Sequence, residues 1–325
     1  MSLPATAAVL GLGSIGMRHL NNLRALGIER LVAYDPDPSR REAAAAAGAN
    51  FHTDLEDALA QGPQAALVTG PSNVHVPLAL AAARAGCALF IEKPLSHSME
   101  GLDELQAELT SRGLAAMVGC NMRFHPGPAT VKRLLDEGAA GRPLHARVAT
   151  ASYLPSWRPA SDYRRSYSAD PVQGGAVLDC IHELDLALWY LGPARLRASA
   201  VLPGTSIGIE ADGLAELLLA HSCGALSSVH LSFIERDYHR ACRVACEEGT
   251  ISWDFGQPRV LLHGPDGRLA RELPLDPAWS VNDMYLDEMR HFLGCLETGE
   301  APANPLAEAR DCLAIALEAR AGGPS

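Results

Sequence analysis

The chain has 325 residues, 48% of them hydrophobic and 20% charged, a composition that suits a globular protein with room for two cores. Its net charge is −11 and no basic stripe stands out, which argues against a sequence-independent nucleic-acid binder. The longest apolar stretch, 76–91, is broken by Arg84, so no membrane span is expected.

The eight cysteines show no CxxC pair and no metal-ligand spacing. They read as buried thiols of a reducing compartment. The first strand begins too close to Met1 to leave room for the apolar part of a secretory leader. A cytoplasmic location is therefore expected.

In chain order, short apolar runs fall at 7–10, 31–34, 65–68, 88–91 and 115–118, each bounded by Gly, Pro, Asp or Asn. Helical patterns lie between them, near 14–26, 39–47, 74–85 and 98–112. Ser39 and Ser98 are candidate N-caps, and Gly27, Gly48, Gly86 and Gly113 candidate stops. This alternation predicts a Rossmann-like, doubly wound parallel sheet over 1–121. After it the pattern changes. A helix near 128–137 leads to an alternating run at 145–153 and a helix at 174–191. Extended runs follow at 196–202, 213–221, 225–234, 241–246, 250–254 and 259–263, and helices near 280–297 and 305–319 close the chain. The expectation for 122–325 is an α+β domain with a large open, mainly antiparallel sheet. A C-terminal helix of it is a candidate to pack back on the first domain. In 225–234 both alternating faces are partly apolar, which points to a homodimer or homotetramer through this sheet.

The residues Gly11-Leu12-Gly13-Ser14-Ile15-Gly16 fit GxGxxG between the first strand and the first helix. Gly11 permits the tight turn, Gly13 a close approach of backbone to a pyrophosphate, and Gly16 helix-on-sheet packing. Amides at the helix start, near Ser14 and Ile15, then face phosphate. Asp35 ends the second strand, where a carboxylate would bond the ribose hydroxyls. It favours NAD, while Ser39, Arg40 and Arg41 nearby keep NADP open. Phe90-Ile91-Glu92-Lys93-Pro94 ends what reads as the fourth strand, so Lys93 points to the ligand crevice at the carboxyl edge of the sheet.

Together these residues resemble the Gfo/Idh/MocA oxidoreductases. The resemblance also covers Thr69-Gly70-Pro71-Ser72-Asn73-Val74-His75, Asn121-Met122-Arg123-Phe124-His125-Pro126, the glycine-led helix at 174–191 and the pattern around 284–319. It implies hydride transfer between a nicotinamide cofactor and a sugar or polyol carbon. It implies that Lys93 bonds substrate hydroxyl and cofactor ribose, held by Glu92 and Pro94 across a cis peptide. Thr69, Ser72, Asn73 and His75 would line the cofactor cleft, with Asn121 and Arg123 toward its substrate end. The stretch 153–164 looks like a subgroup linked to surface-polysaccharide sugars.

Oxidation of a secondary alcohol needs a base for the hydroxyl proton and positive charge beside the developing alkoxide. His182 titrates in the right range to be the base, and Lys93 is the electrostatic partner or a second candidate base. Asp179 is the third catalytic candidate, and Asp185 reads as a scaffold acid. Many relatives place the aspartate four residues before the histidine, whereas Asp179 stands three before His182 and Leu178 takes the aligned position. On a continuous helix both spacings keep one face. Gly174 and Gly175 would let that helix begin close to a ligand. Trp157, Arg158, Tyr163 and Arg164, with Tyr153 and Tyr167, form a basic-aromatic loop. It either reads an acidic or nucleotide sugar or serves as a surface or subunit arm. Two rivals remain at this stage: a retained-NAD enzyme of glycoside cleavage or epimerisation without net redox, and a non-catalytic nucleotide-binding protein.

Overall fold

The computed structural model describes residues 4–159 and 161–323. The outer ends of the two expected domains, at 1 and 325, lie outside them. The chain forms two compact units. One runs up to Asn121 and takes in Val281–Arg310, and the other comprises Met122–Ser280 and the residues from Asp311 on.

The first unit is built on β1 (Thr6–Leu10), α1 (Ser14–Ala25), β2 (Arg30–Tyr34), α2 (Arg41–Ala46), β3 (Ala49–His52), α3 (Leu55–Leu59), β4 (Ala65–Val68), α4 (His75–Arg84), β5 (Ala88–Glu92), α5 (Leu102–Arg112) and β6 (Ala116–Gly119). Its six strands lie in the order β3-β2-β1-β4-β5-β6, and every pair is parallel. All residues of β1, β4 and β5 are buried, which explains their unbroken apolar runs: helices cover both faces. The strand order reverses between β1 and β4, the switch point at which such sheets receive ligands.

Some details depart from the sequence reading. The strand β3 and the helix α3 were not expected, so Lys93 follows the fifth strand and not the fourth. Ser98 caps nothing, because α5 begins after Gly101. Ser39 lies inside a short 3-10 turn whose cap is Asp37.

The second unit contains α6 (Pro126–Asp136), β7 (Pro143–Tyr153), α7 (Gly175–Asp179), α8 (Ile181–Leu191), β8 (Ala194–Pro203), β9 (Asp212–His221), β10 (Leu226–Ser232), β11 (Ile234–Cys246), β12 (Gly249–Asp254), β13 (Arg259–His263) and β14 (Leu269–Pro274). Its eight strands run β14-β13-β12-β11-β7-β10-β9-β8. All pairs are antiparallel except β7 with β10. Helix α8 lies against β7 and β10. Ala146, Val148, Val229 and Leu231 are buried, while Arg147 of the alternating set is exposed. One face of the sheet is thus core and the other open.

The last helices are α9 (Val281–Thr298) and α10 (Leu306–Arg320). Helix α9 belongs to the first unit, and α10 does so up to Arg310. Asn304 fixes the approach to α10 by donating from Nδ2 to the Val118 carbonyl at 3.1 Å.

Candidate active site

In the first unit the glycine fingerprint is built by close backbone approach. Gly11 has φ +109°, and a Cβ there would stand 2.6 Å from Gly70 N. A Cβ on Gly16 would meet the Gly11 carbonyl at 1.9 Å. No side chain fits either place. Gly13 differs: a Cβ there would meet nothing within 4 Å. It is the N-cap of α1, no side chain caps that end, and the first turn holds no acid. The first amides of a helix lack intrahelical acceptors. The open space beside Gly13 leaves room for a pyrophosphate at this end of the helix. Asp35 stands beside the same turn. Its Oδ2 accepts from Leu12 N at 2.7 Å and its Oδ1 from Asp37 N at 2.9 Å. The residues present therefore fit a dinucleotide.

The expected cleft residues divide into floor and rim. Thr69 is buried and its hydroxyl donates to the Gly11 carbonyl at 2.6 Å, so it latches the glycine turn from beneath. Ser72 and Asn121 are buried and Asn73 is exposed. His75 is buried between two carbonyls, with Nδ1 2.9 Å from Pro94 O and Nε2 2.8 Å from Gly70 O. Burial holds its pKa below the ordinary histidine value. A neutral ring has one N–H, so it donates to one of the two and straps the Gly70 turn to the Pro94 turn. The Lys93–Pro94 peptide is cis. Lys93 is half-buried at the end of β5, and its N–H donates to Glu92 Oε2 at 3.1 Å. The other oxygen of Glu92 lies 2.6 Å from His19 Nε2.

In the second unit the 174–191 segment is two helices. They meet at Cys180 (φ −94°, ψ 30°). Asp179 ends α7 and His182 is the second residue of α8, so continuous-helix spacing does not apply to the pair. Asp179 is half-buried and accepts from the Ser168 hydroxyl at 2.6 Å, whereas Leu178 and Cys180 beside it are buried. His182 is 7% exposed.

The two glycines are required by their own surroundings. A Cβ on Gly174 would stand 2.2 Å from the Tyr167 carbonyl. Gly175 has φ +86°, and its Cβ would stand 2.2 Å from Asp212 Oδ1. Asp212 accepts from Val177 N at 2.7 Å and pairs with Arg320 at 2.9 Å. Arg320 in turn donates to the carbonyls of Pro171 and Val172. Asp212 and Arg320 thereby fix the start of α7, and sequence reasoning missed both.

Arg123, expected toward the substrate end of the cleft, is held by an acid of its own unit. It is 5% exposed, and its Nε and Nη2 donate to Asp185 at 2.9 and 2.7 Å. Asp185 has the scaffold part expected of it. Behind α8, Glu183 is buried against Arg240 at 2.7 Å. The basic-aromatic loop is largely committed to its own unit. Trp157 donates to Ser152 Oγ at 3.0 Å and meets Phe233 edge-on. Tyr163 donates to the Ile207 carbonyl at 2.6 Å and Arg164 bonds Asp162. Arg158 is exposed. Among the described residues no three His, Cys, Asp or Glu are grouped to hold a metal ion.

Comparison with known proteins agrees with this geometry. Residues 5–120 match the model of the oxidoreductase family with an NAD-binding Rossmann fold, and 129–252 match the GFO/IDH/MocA C-terminal domain. The chain is 30% identical to inositol 2-dehydrogenase 4 of Saccharopolyspora erythraea over 74% of this chain and 71% of the relative. It is 26% identical to the scyllo-inositol 2-dehydrogenase (NAD(+)) of Bacillus subtilis, over 91% of this chain and 87% of that one. In fold it is similar to a levoglucosan dehydrogenase solved with NADH and L-sorbose: TM-score 0.86, 20% identity, covering 98% of this chain and 97% of the other.

Proposed function

Because the chain belongs to the Gfo/Idh/MocA family of NAD-dependent oxidoreductases, we propose that it oxidises a ring hydroxyl of a cyclitol or sugar, with Lys93 and His182 acting on the same carbinol. The observation that carries this is the open start of α1 at Gly13, with Asp35 beside it and Lys93 at the carboxyl edge of the same sheet. NAD, when bound, supplies the hydride acceptor. Gly13, Ser14, Ile15 and Asp35 would hold it. The protein's own part is the proton and the charge. The His182 imidazole takes the hydroxyl proton, and the Lys93 ammonium steadies the oxygen as negative charge builds on it. Asp179, half-buried on Ser168, is the acid that orients the substrate or the imidazole. The names of the inositol dehydrogenases support a cyclitol as the first substrate to try.

The test is NADH formation on adding a panel of inositols and aldoses with NAD. Stoichiometric NADH with at least one polyol is expected. Substrate consumption without NADH would replace this reading with a retained-cofactor reaction.

We also propose that the open face of the eight-stranded sheet joins two copies of the chain. Leu218 and Leu226 are exposed on it. Arg147 and Arg243 stand directly opposite each other on β7 and β11, a like-charge pair that is unfavourable alone. On the same sheet Glu216 and Glu235 flank His230, offering carboxylates to a neighbouring copy. Sedimentation at micromolar concentration should give a dimer or tetramer; a monomer would contradict it. The eight reduced cysteines and the acidic charge suit a cytoplasmic protein without a nucleic-acid partner.

A further inference from the structure

His19 sits on α1, whose first turn forms the nucleotide cradle. The residue is fully buried. Its Nε2 lies 2.6 Å from Glu92 Oε1. Its Nδ1 is also buried and has no partner among the described residues. Phe90 and Tyr285 stand edge-on to the ring, at 5.1 and 6.1 Å between centroids. A neutral imidazole carries one hydrogen. Placed on Nδ1, it would point at nothing that accepts it, and Nε2 would set a lone pair against a carboxylate oxygen. Both faults disappear when Nε2 carries the hydrogen and donates to Glu92. Glu92 then accepts at both oxygens, from His19 at one and from the Lys93 N–H at 3.1 Å at the other.

We propose that His19 is a positioning residue for Lys93. By donating to Glu92 it fixes the carboxylate in the place that holds the Lys93 backbone. It thus ties the lysine to the same helix that receives the cofactor phosphates. This rests on the part assigned to Lys93 above. The other charged and titratable groups around the cluster are Arg18 from α1 and Tyr285 and Glu288 from α9. Arg18 lies over the Tyr285 ring at 4.4 Å, which keeps α9 against this side of α1.

The test compares His19→Leu with His19→Gln, whose amide nitrogen reaches the place of Nε2. His19→Leu should lose about ten-fold or more in kcat, the value of a hydrogen bond to a charged acceptor. NADH affinity should stay within about three-fold, and His19→Gln should recover most of the turnover. Unchanged kcat in His19→Leu overturns the proposal. So does a loss of NADH affinity that matches the loss of turnover, because His19 would then merely pack α1. A second readout needs no substrate. Nitrogen-15 NMR of imidazole-labelled protein should place the His19 hydrogen on Nε2, in a signal that moves in Glu92→Gln. A hydrogen on Nδ1 overturns the proposal. If the wild type oxidises no polyol, the assigned activity fails, and the tautomer still decides the contact.

Discussion

Arg123 and Asp185 are 3% and 2% exposed at the side chain and joined by two hydrogen bonds. Removing one partner of such a pair leaves a buried charge without compensation, at a cost of about 3–5 kcal/mol. Arg123→Met should therefore lower the unfolding free energy by about that much, and Arg123→Met/Asp185→Leu should regain a large part of it. Urea unfolding measures both. A folded, fully stable Arg123→Met with a raised KM would place Arg123 at the substrate. Lys93→Ala should instead leave stability nearly unchanged and reduce kcat by at least about 100-fold, as loss of a group acting at the reacting oxygen does. Stopped-flow and melting curves on the same sample separate the two effects. From sequence Lys93 was a catalytic candidate and Arg123 a residue near the substrate end of the cleft, and what holds each in place differs. Lys93 stands at its own strand end beside Glu92, a position that local pattern shows. Arg123 is placed by a partner 62 residues away, and Tyr163 by one 44 residues away. No local spacing carries such information. The glycines at 11, 13 and 16 were legible because each answers a demand of its own turn, and Asp35 because it follows the end of the second strand.

Among elements, the break between α7 and α8 was the feature least visible in advance. The segment 175–191 has helical periodicity throughout, and nothing local in Cys180 announces a stop. The start of α7 is imposed from outside by Asp212 and Arg320. This makes Gly175 a sensitive position. Its φ is +86°, and an added Cβ would stand 2.2 Å from Asp212 Oδ1. Gly175→Ala should cost about 1–3 kcal/mol from backbone strain alone. It should also lower turnover by shifting the segment that carries Asp179. Calorimetry and kcat on one preparation check this; a variant equal to wild type in both would show that α7 need not be held there. The missed strand β3 has a related explanation. It is four residues at a sheet edge with only Ala49 and Phe51 buried, too short for its alternation to rise above a loop. The buried strands β1, β4 and β5 were plain because both of their faces demand apolar residues.

At the scale of the molecule, pH acts through histidines whose pKa desolvation holds down. Burial lowers the pKa of His75, His125, His145, His221 and His291, and His125 falls to about 4 through burial and the neighbouring Arg240. In the unfolded chain these groups take up protons near 6.5. Between pH 6.5 and about 4 the unfolded state therefore binds more protons, and stability falls as pH falls. His125 alone should contribute about 3 kcal/mol across that window. Its Nδ1 accepts from Gly127 N at 3.0 Å, and an asparagine oxygen can take that place. His125→Asn should thus flatten the acid limb of a stability-against-pH curve while leaving the cap intact. An unchanged limb would mean that His125 titrates alike folded and unfolded.

Hydride transfer from a ring carbon is the central claim, and the most direct measurement follows the hydride itself. Inositols and sugars deuterated at the carbinol carbon are mixed with NAD and the wild-type protein, and the nicotinamide product is read by mass spectrometry. The account predicts deuterium in NADH from at least one polyol, with transfer reduced by at least about 100-fold in both Lys93→Ala and His182→Ala. Full transfer in both variants, or NADH that carries no deuterium, would contradict it.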